Sequence, residues 1–110
     1  MRLRNAGVAA LGALTLLLAV PGSANAATGD FLYKYGLLGG QEGLLPDPVS
    51  GVCLNLDGAT DLEPATSPRN FTNATATVFL DTDCNGDVYY VMNPGKKLGP
   101  LFRIRSVIFS

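Results

Sequence analysis

The chain has 110 residues, of which 47% are hydrophobic and 15% charged, and it contains no histidine. The absence of histidine excludes a histidine-based catalytic triad or general base. The chain has eight basic and nine acidic residues, which give a formal net charge of −1, and the basic residues do not form one long run. Both features argue against nucleic acid as a partner.

Residues 1–26 have the pattern of a secretory signal peptide. Two arginines precede the apolar run 6–20 (AGVAALGALTLLLAV), and the tripeptide ANA at 24–26 supplies the small residues that a signal peptidase reads. The run is about 15 residues long, which is short for a membrane span of ~20. We therefore expect cleavage after Ala26 and a secreted, extracellular β domain over 27–110, with no membrane association after cleavage. Six basic and nine acidic residues give that segment a net charge of −3.

The cysteine count predicts one disulfide. Cys53 and Cys84 are the only cysteines, and an even count in an exported chain is typical of a disulfide. The alternatives are a free pair or a zinc site, but structural zinc takes four ligands and histidine is absent. Closing a loop of about 30 residues would stabilise the fold by roughly 3–4 kcal/mol in the chain-entropy model.

Taken in chain order, the elements of the exported segment are predicted to be short strands. The segments rich in β-branched and aromatic residues, or with alternating apolar residues, are 31–35, 52–56, 74–80, 88–92 and 101–109. Glycine, proline and polar residues predict turns and irregular chain over 36–51 and 57–73. In the last strand, Phe102, Ile104 and Ile108 share a face with Ser106, and Arg103 and Arg105 face the other way. Without a helical period, this pattern predicts an all-β sandwich or small barrel.

The turn DTDCNGD at 81–87 has two interpretations. Asp81, Asp83 and Asn85 match the first three ligand positions of an EF-hand loop and Gly86 its glycine, but the twelfth position is Met92, which cannot bind calcium. Asn85-Gly86 is also a strong hairpin signal, because both residues tolerate positive φ. We interpret the segment as a turn. A weak calcium site remains the alternative, with Asp81, Asp83, Asn85 and Asp87 as candidate ligands; no other cofactor is predicted.

Residues 74–110 resemble a βγ-crystallin Greek key. Phe79 matches the first aromatic of that motif, Gly86 its glycine and Ser106 its serine, while Cys84 stands where a second aromatic is expected. The resemblance implies a small Greek-key sandwich of βγ-crystallin type in which the serine caps the hairpin from another strand. The calcium ligands of the family precede that serine, where this chain has the sequence RIR at 103–105. The resemblance therefore does not carry calcium binding over.

The resemblance extends weakly to the first half of the domain. A degenerate Greek key over 29–56 would have Phe31, Gly36 and Val52 as its markers. The runs TATVFLDTDCNGD, NPGKK and RSVIF also resemble small exported actinobacterial proteins with this kind of fold. These include metalloproteinase inhibitors of the Streptomyces type and killer-toxin-like proteins.

These observations favour a structural or binding role outside the cell rather than catalysis. With the cysteines paired, only acidic pairs such as Asp81 with Asp83 or Asp57 with Asp61 remain for catalysis, and a chain this small leaves little room for a cleft. The predicted partner is an extracellular protein or a cell-wall polymer.

The alternative function is inhibition of an extracellular peptidase. The loop 93–100 would present Lys96, Lys97 and Leu98, and 57–70 is a second candidate loop. Exposed aromatics among Tyr33, Tyr35, Tyr89 and Tyr90 would serve a polymer-binding role.

Overall fold

The computed structural model describes residues 26–110 and shows an all-β fold of two antiparallel four-stranded sheets with one disulfide. The eight strands are β1 Gly29–Tyr35, β2 Gln41–Pro46, β3 Leu54–Asn55, β4 Ala65–Thr72, β5 Ala76–Phe79, β6 Tyr89–Met92, β7 Arg103–Ile104 and β8 Ser106–Phe109. The all-β class predicted from sequence is confirmed. The predicted signal peptide lies outside the described residues, apart from its last residue.

The two halves of the domain exchange strands. The first sheet has the order β2-β1-β4-β7 and the second has the order β3-β8-β5-β6. The first half of the domain, β1–β4, places three strands in the first sheet and its third strand, β3, in the second. The second half, β5–β8, places three strands in the second sheet and its third strand, β7, in the first. This exchange ties both halves of the chain into a single core.

Two strands lie where irregular chain was predicted. β2 contains Gly43, which is required because a Cβ there would overlap the ring of Tyr33 on the neighbouring strand. β4 contains the buried Pro68, which follows Ser67 in a left-handed conformation (φ 52°) where the pairing of β4 with β1 shifts register. Ring packing and a β-bulge thus allow glycine and proline inside these strands.

The last predicted strand is in fact two. The segment 101–109 divides at Arg105 into β7 and β8, which belong to different sheets. Ile104 and Ser106 are buried as predicted, but Phe102 and Ile108 of the predicted face are only partly buried, and Val107 and Phe109 are fully buried. A single alternating face cannot continue because the chain passes from one sheet to the other at Arg105. The predicted strand 52–56 is likewise reduced to the two residues of β3.

The core lies between the sheets, and both sheets contribute aromatic and aliphatic side chains to it. Phe31 packs edge-to-face on Phe109 with ring centroids 5.5 Å apart, an arrangement that adds to the stabilisation from area burial. Tyr33 is buried, and its hydroxyl donates a hydrogen bond of 2.9 Å to the carbonyl oxygen of Asp57. Burial, and next the charge of Asp57, raise the pKa of Tyr33 to about 12.

The disulfide joins Cys53, just before β3, to Cys84 in the turn between β5 and β6. The predicted pairing is confirmed, and such bonds are typical of oxidising environments. Among residues 26–110, no helix is long and apolar enough to cross a membrane.

Ser106 ties the same turn to β8. Its buried hydroxyl donates a hydrogen bond of 2.6 Å to the carbonyl oxygen of Asp81 and accepts one of 2.9 Å from the amide of Cys84. We expect Ser106→Ala to lower the free energy of unfolding by about 1–3 kcal/mol, because both backbone groups lose their partner. Urea titrations measure the change. Ser110→Ala at the exposed C-terminus is the control, and an equal effect of both substitutions would contradict this role.

Candidate functional site

A groove with a volume of about 460 Å³ lies on the outer face of the first sheet. Its floor consists of Lys34, Thr66 and Arg103, which are in register across β1, β4 and β7. Its walls are the β1–β2 turn at 36–39 and the loop at 62–64, and Pro100 also lines it. We call this feature the leucine-rimmed groove.

Leucines project into water around the groove. Leu38 is 97% exposed and Leu62 is 93% exposed, and both line the groove. Leu37 and Leu101, the neighbours of lining residues, are also largely exposed. Burying a leucine side chain is worth about 1.5–3 kcal/mol. A single exposed leucine is ordinary, but a cluster around a concave surface is typical of a binding site.

The backbone of Leu38 is strained as well as exposed. Its φ of 56° and ψ of 24° lie in the left-handed region, which costs a residue with a side chain roughly 1–2 kcal/mol. The β5–β6 turn has the same local form, with Asp83 at φ 60° and ψ 23°. Aspartate tolerates this region far better than leucine does. The turn geometry therefore does not account for a leucine at position 38.

We expect Leu38→Asn to raise the free energy of unfolding by about 0.5–1 kcal/mol, because asparagine relieves the left-handed strain. Leu37→Asn is the matched control, since it removes a similarly exposed leucine outside the left-handed region. Thermal unfolding of both variants measures the difference. A loss of stability in Leu38→Asn alone would show that this leucine supports the fold.

Backbone hydrogen bonds fix the β1–β2 turn. The amide of Gly39 donates to the carbonyl oxygen of Gly36 at 3.0 Å, and that of Gly40 donates to Leu37 at 3.1 Å. Gly36 has a φ of 82°, a conformation that glycine adopts at little cost. The turn therefore holds Leu38 in a defined position at the rim.

Arg105 fixes the opposite wall. Its guanidinium donates hydrogen bonds of 2.8 Å to the carbonyl oxygens of Thr60 and Asp61, and one of 2.9 Å to that of Leu80. Thr60 and Glu63 bond each other across a tight turn, with Leu62 inside it. A rim that is ordered before binding loses little conformational entropy when a partner binds.

The floor of the groove carries positive charge. Lys34 lies 3.6 Å from Glu42, which also pairs with Arg69, and the hydrogen bond from Arg69 lowers the pKa of Glu42. Within the described chain, Arg103 forms no salt bridge. Its guanidinium is therefore available to an acidic group of a ligand.

Comparisons of the chain with protein-family models, with curated proteins and with solved structures find no match. The assignment of a function therefore depends on the geometry of the molecule itself. The groove combines exposed leucines, an accessible guanidinium and rigid walls, which are features of a binding surface.

The predicted inhibitory loop lies along β4. The carbonyl oxygen of Lys96 accepts a hydrogen bond from the amide of Asn70, and the amide of Leu98 donates to Pro68, both at 2.9 Å. Leu98 packs against the core, and the ammonium group of Lys97 lies 5.9 Å from the ring centroid of Phe71. The backbone of 95–98 is thus hydrogen-bonded to β4, while the side chains of Lys96 and Lys97 are exposed.

The predicted turn at 81–87 is present, but its conformation differs from the prediction. Asn85 is extended, with a φ of −99°, whereas the positive φ angles belong to Asp83, Cys84 and Gly86. The reason is a single 3₁₀ turn at Thr82–Cys84 in place of a two-residue turn at Asn85-Gly86.

The candidate calcium ligands in this turn have other contacts. Asp83 is bonded to Asn55 through both its carboxylate and its amide, at 2.9 and 2.8 Å, and the carboxylate of Asp81 lies against Gly86. No group of three or more acidic, histidine or cysteine residues within 26–110 is arranged to hold a metal ion. Calcium binding by Asp81, Asp83, Asn85 and Asp87 stays a prediction.

The four tyrosines differ in exposure. Tyr33 is buried, Tyr35 and Tyr90 are partly buried against the core, and Tyr89 is 54% exposed. Tyr90 also packs edge-to-face on Phe102 at 4.9 Å. Among the four tyrosines, only Tyr89 exposes much of its ring to solvent. One exposed ring is a small surface for binding a polymer.

Sequence reasoning found part of the groove. Leu62 lies in the candidate loop 57–70, but Leu38 falls in a segment predicted only as irregular, and Arg103 was predicted only to face away from the core. One local signal was present, since the sequence GLLGG at 36–40 places two leucines in a glycine-rich turn. Turns are usually polar, so apolar residues at such a tip indicate a contact surface.

Proposed function

We propose that this protein is a small secreted, non-catalytic binding protein that contacts an extracellular protein through the leucine-rimmed groove. The observation that carries the proposal is Leu38, which is almost fully exposed in a left-handed backbone conformation. Exposure and backbone strain both disfavour leucine there, and strained residues often cluster at functional sites. Binding a partner would offset the cost.

Export and fold type belong to the same proposal. The signal-peptide pattern at 1–26 and the disulfide support secretion. The exchange of third strands between the sheets, together with the hydrogen bonds of Ser106 to the β5–β6 turn, supports a βγ-crystallin-type Greek-key sandwich. The fold type alone implies no function, since function depends on the site.

The chemistry of the groove indicates the kind of partner. Leu38 and Leu62 would cover apolar side chains, while Arg103 on the floor would bind a carboxylate. We therefore expect the ligand to be a protein segment in which apolar and acidic side chains alternate. A neutral cell-wall polymer would leave Arg103 without an acidic partner.

Display of random peptides tests this proposal. The wild-type protein should select peptides rich in apolar and acidic residues. The double variant Leu38→Asp/Leu62→Asp should bind them about 100-fold more weakly, if each leucine contributes about 1.4 kcal/mol. Val52→Asp is the control, because Val52 is 50% exposed and does not line the groove. Equal binding by all three proteins would overturn the proposal.

The second candidate function is inhibition of an extracellular peptidase through the same rim. Leu38 and Leu62 lie on short, rigid turns that project from the sandwich, and ordered turns of this kind can fill a peptidase cleft. A thermolysin-like and a subtilisin-like peptidase should be assayed with excess protein. Stoichiometric inhibition that Leu38→Asp abolishes would support this function, and full residual activity would exclude it for those two classes.

A further inference from the structure

The four sheet edges differ in how they are protected against pairing with another strand. β2 forms one edge of the first sheet and carries Glu42 and Pro46, which both discourage strand addition. β3 and β7 form two further edges and are only two residues long each. Charge, proline and short length are the usual means of blocking an edge.

β6 lacks these protections. It forms the remaining edge, and the run 88–92 (VYYVM) contains neither a charged residue nor proline. Val91 is 56% exposed, and Val88 and Tyr89 are exposed as well. β-branched and aromatic residues also have the highest propensity for strand pairing.

The outer sheet face next to this edge is also free of charge. Thr77 of β5 pairs with Val91 on one side and with Ile108 on the other, and Phe79 pairs with Tyr89. The rings of Phe79 and Tyr89 pack with centroids 5.8 Å apart. By contrast, the outer face of the first sheet carries the ion pairs of Glu42 with Lys34 and Arg69.

We infer that β6 pairs with β6 of a second copy of the chain. This pairing joins the second sheet of one copy to the second sheet of the other in one continuous sheet. An antiparallel pairing centred on Tyr90 places Tyr89 opposite Val91 of the second copy, and aromatic–aliphatic cross-strand pairs of this kind are favourable. The register places Asp87 opposite Asn93 of the second copy, so no like charges meet. The charge-free strand is thus complementary to itself.

A second copy is a better partner for the β6 edge than an unrelated strand, because pairing two copies gives a closed dimer with no free β6 edge. The two-fold axis uses both β6 edges, and the remaining edges of the joined sheet are the two-residue strands β3. Assembly would therefore stop at a dimer. Since the leucine-rimmed groove is on the first sheet, a dimer carries two grooves and would bind a repetitive partner with avidity.

Sedimentation of the oxidised protein over a concentration series tests the inference. We expect the wild-type protein to be a dimer that dissociates on dilution. Val91→Lys should be monomeric at concentrations where the wild type is dimeric, because a lysine on the edge strand opposes pairing. Leu44→Lys is the matched control, since Leu44 is 50% exposed on the protected edge strand β2, and it should dimerise like the wild type.

Amide hydrogen exchange of the wild-type protein gives a readout that depends on no variant. Amides of β6 should become more protected as the concentration rises, while those of β2 should not change. A wild-type protein that is monomeric at every concentration would overturn the inference. A dimer in which Val91→Lys behaves like Leu44→Lys, or in which β6 protection is independent of concentration, would overturn it as well.

Discussion

Asn70→Asp is expected to lower the free energy of unfolding by about 3–5 kcal/mol at neutral pH, because it places an unpaired charge in the interior. Asn70 is fully buried. Its side-chain amide donates to the carbonyl oxygens of Ala74 and Met92, at 2.8 and 2.9 Å. Its side-chain oxygen accepts from the amide and the hydroxyl of Thr72, at 3.1 and 2.7 Å. All four hydrogen-bonding positions of the side chain are therefore occupied.

The bond to Met92 joins the two sheets. Asn70 belongs to β4 in the first sheet, and Met92 is the last residue of β6 in the second. Aspartate has nearly the same shape but ionises to an acceptor only, so its second oxygen would face two carbonyl oxygens. Two hydrogen bonds would be lost without any change in packing volume, which makes the substitution a specific test of this contact.

The loss of unfolding free energy in Asn70→Asp should depend on pH. Burial and the facing carbonyl groups would raise the pKa of the introduced carboxyl in the folded state above its unfolded value of about 4. A raised folded-state pKa means that stability is retained below the unfolded pKa and is lost as the pH rises through the folded pKa. The deficit relative to wild type should therefore shrink on acidification to about pH 4, where a protonated carboxyl donates one of the two bonds.

Urea titrations of wild type and variant at both pH values measure this effect. Asn73→Asp is the matched control, because Asn73 is exposed and uses its side-chain oxygen, which aspartate retains, to accept from the amide of Thr28 at 2.8 Å. We expect the control to change stability by less than about 0.5 kcal/mol. An Asn70→Asp variant no less stable than this control would refute the proposed role of Asn70.

Removal of the disulfide is expected to cost about 3–4 kcal/mol, because the bond closes a long loop in the unfolded chain. Cys53 and Cys84 are separated by 31 positions. The bond ties the start of β3 to the β5–β6 turn, so it restricts the unfolded chain between two segments that join in the second sheet. The variant Cys53→Ala/Cys84→Ala should show this loss in urea titrations.

Reduction provides the control for this prediction. A reductant should destabilise the wild-type protein by about the same amount and leave the double alanine variant unchanged. The denaturant dependence should also become steeper without the bond, because the unfolded chain then exposes more surface. A wild-type protein whose stability does not respond to the reductant would contradict the prediction.

Local patterns were sufficient for part of the fold. β5 was predicted from its alternating β-branched residues and β6 from its β-branched and aromatic residues, with a turn sequence between them, and the disulfide was predicted from the cysteine count. β2 and β4 could not be predicted, because what permits Gly43 and Pro68 in a strand is the ring of Tyr33 on a neighbouring strand and a bulge. Contacts between segments that are distant in sequence produce no alternation of apolar and polar residues in either segment, so the sequence pattern does not reveal them.

The candidate site was less predictable than the fold. The leucine-rimmed groove combines residues from three separate segments, 34–39, 62–67 and 100–103. None of these segments has a recognisable motif; β1 and β4 meet by strand pairing, and Arg103 joins them through the exchange of β7 into the first sheet. The loop 93–100 was a candidate from sequence because Lys96 and Lys97 lie between two prolines, and in the structure its backbone bonds to β4.

The binding role of the groove is tested most directly by following backbone amide resonances of the isotope-labelled protein during titration with a peptide selected by display. Binding at the leucine-rimmed groove predicts shift changes confined to 34–39, 62–67 and 100–103. Changes centred on 93–98 or 81–87, with the groove resonances unmoved, would contradict it and would assign binding to the lysine loop or to the acidic turn.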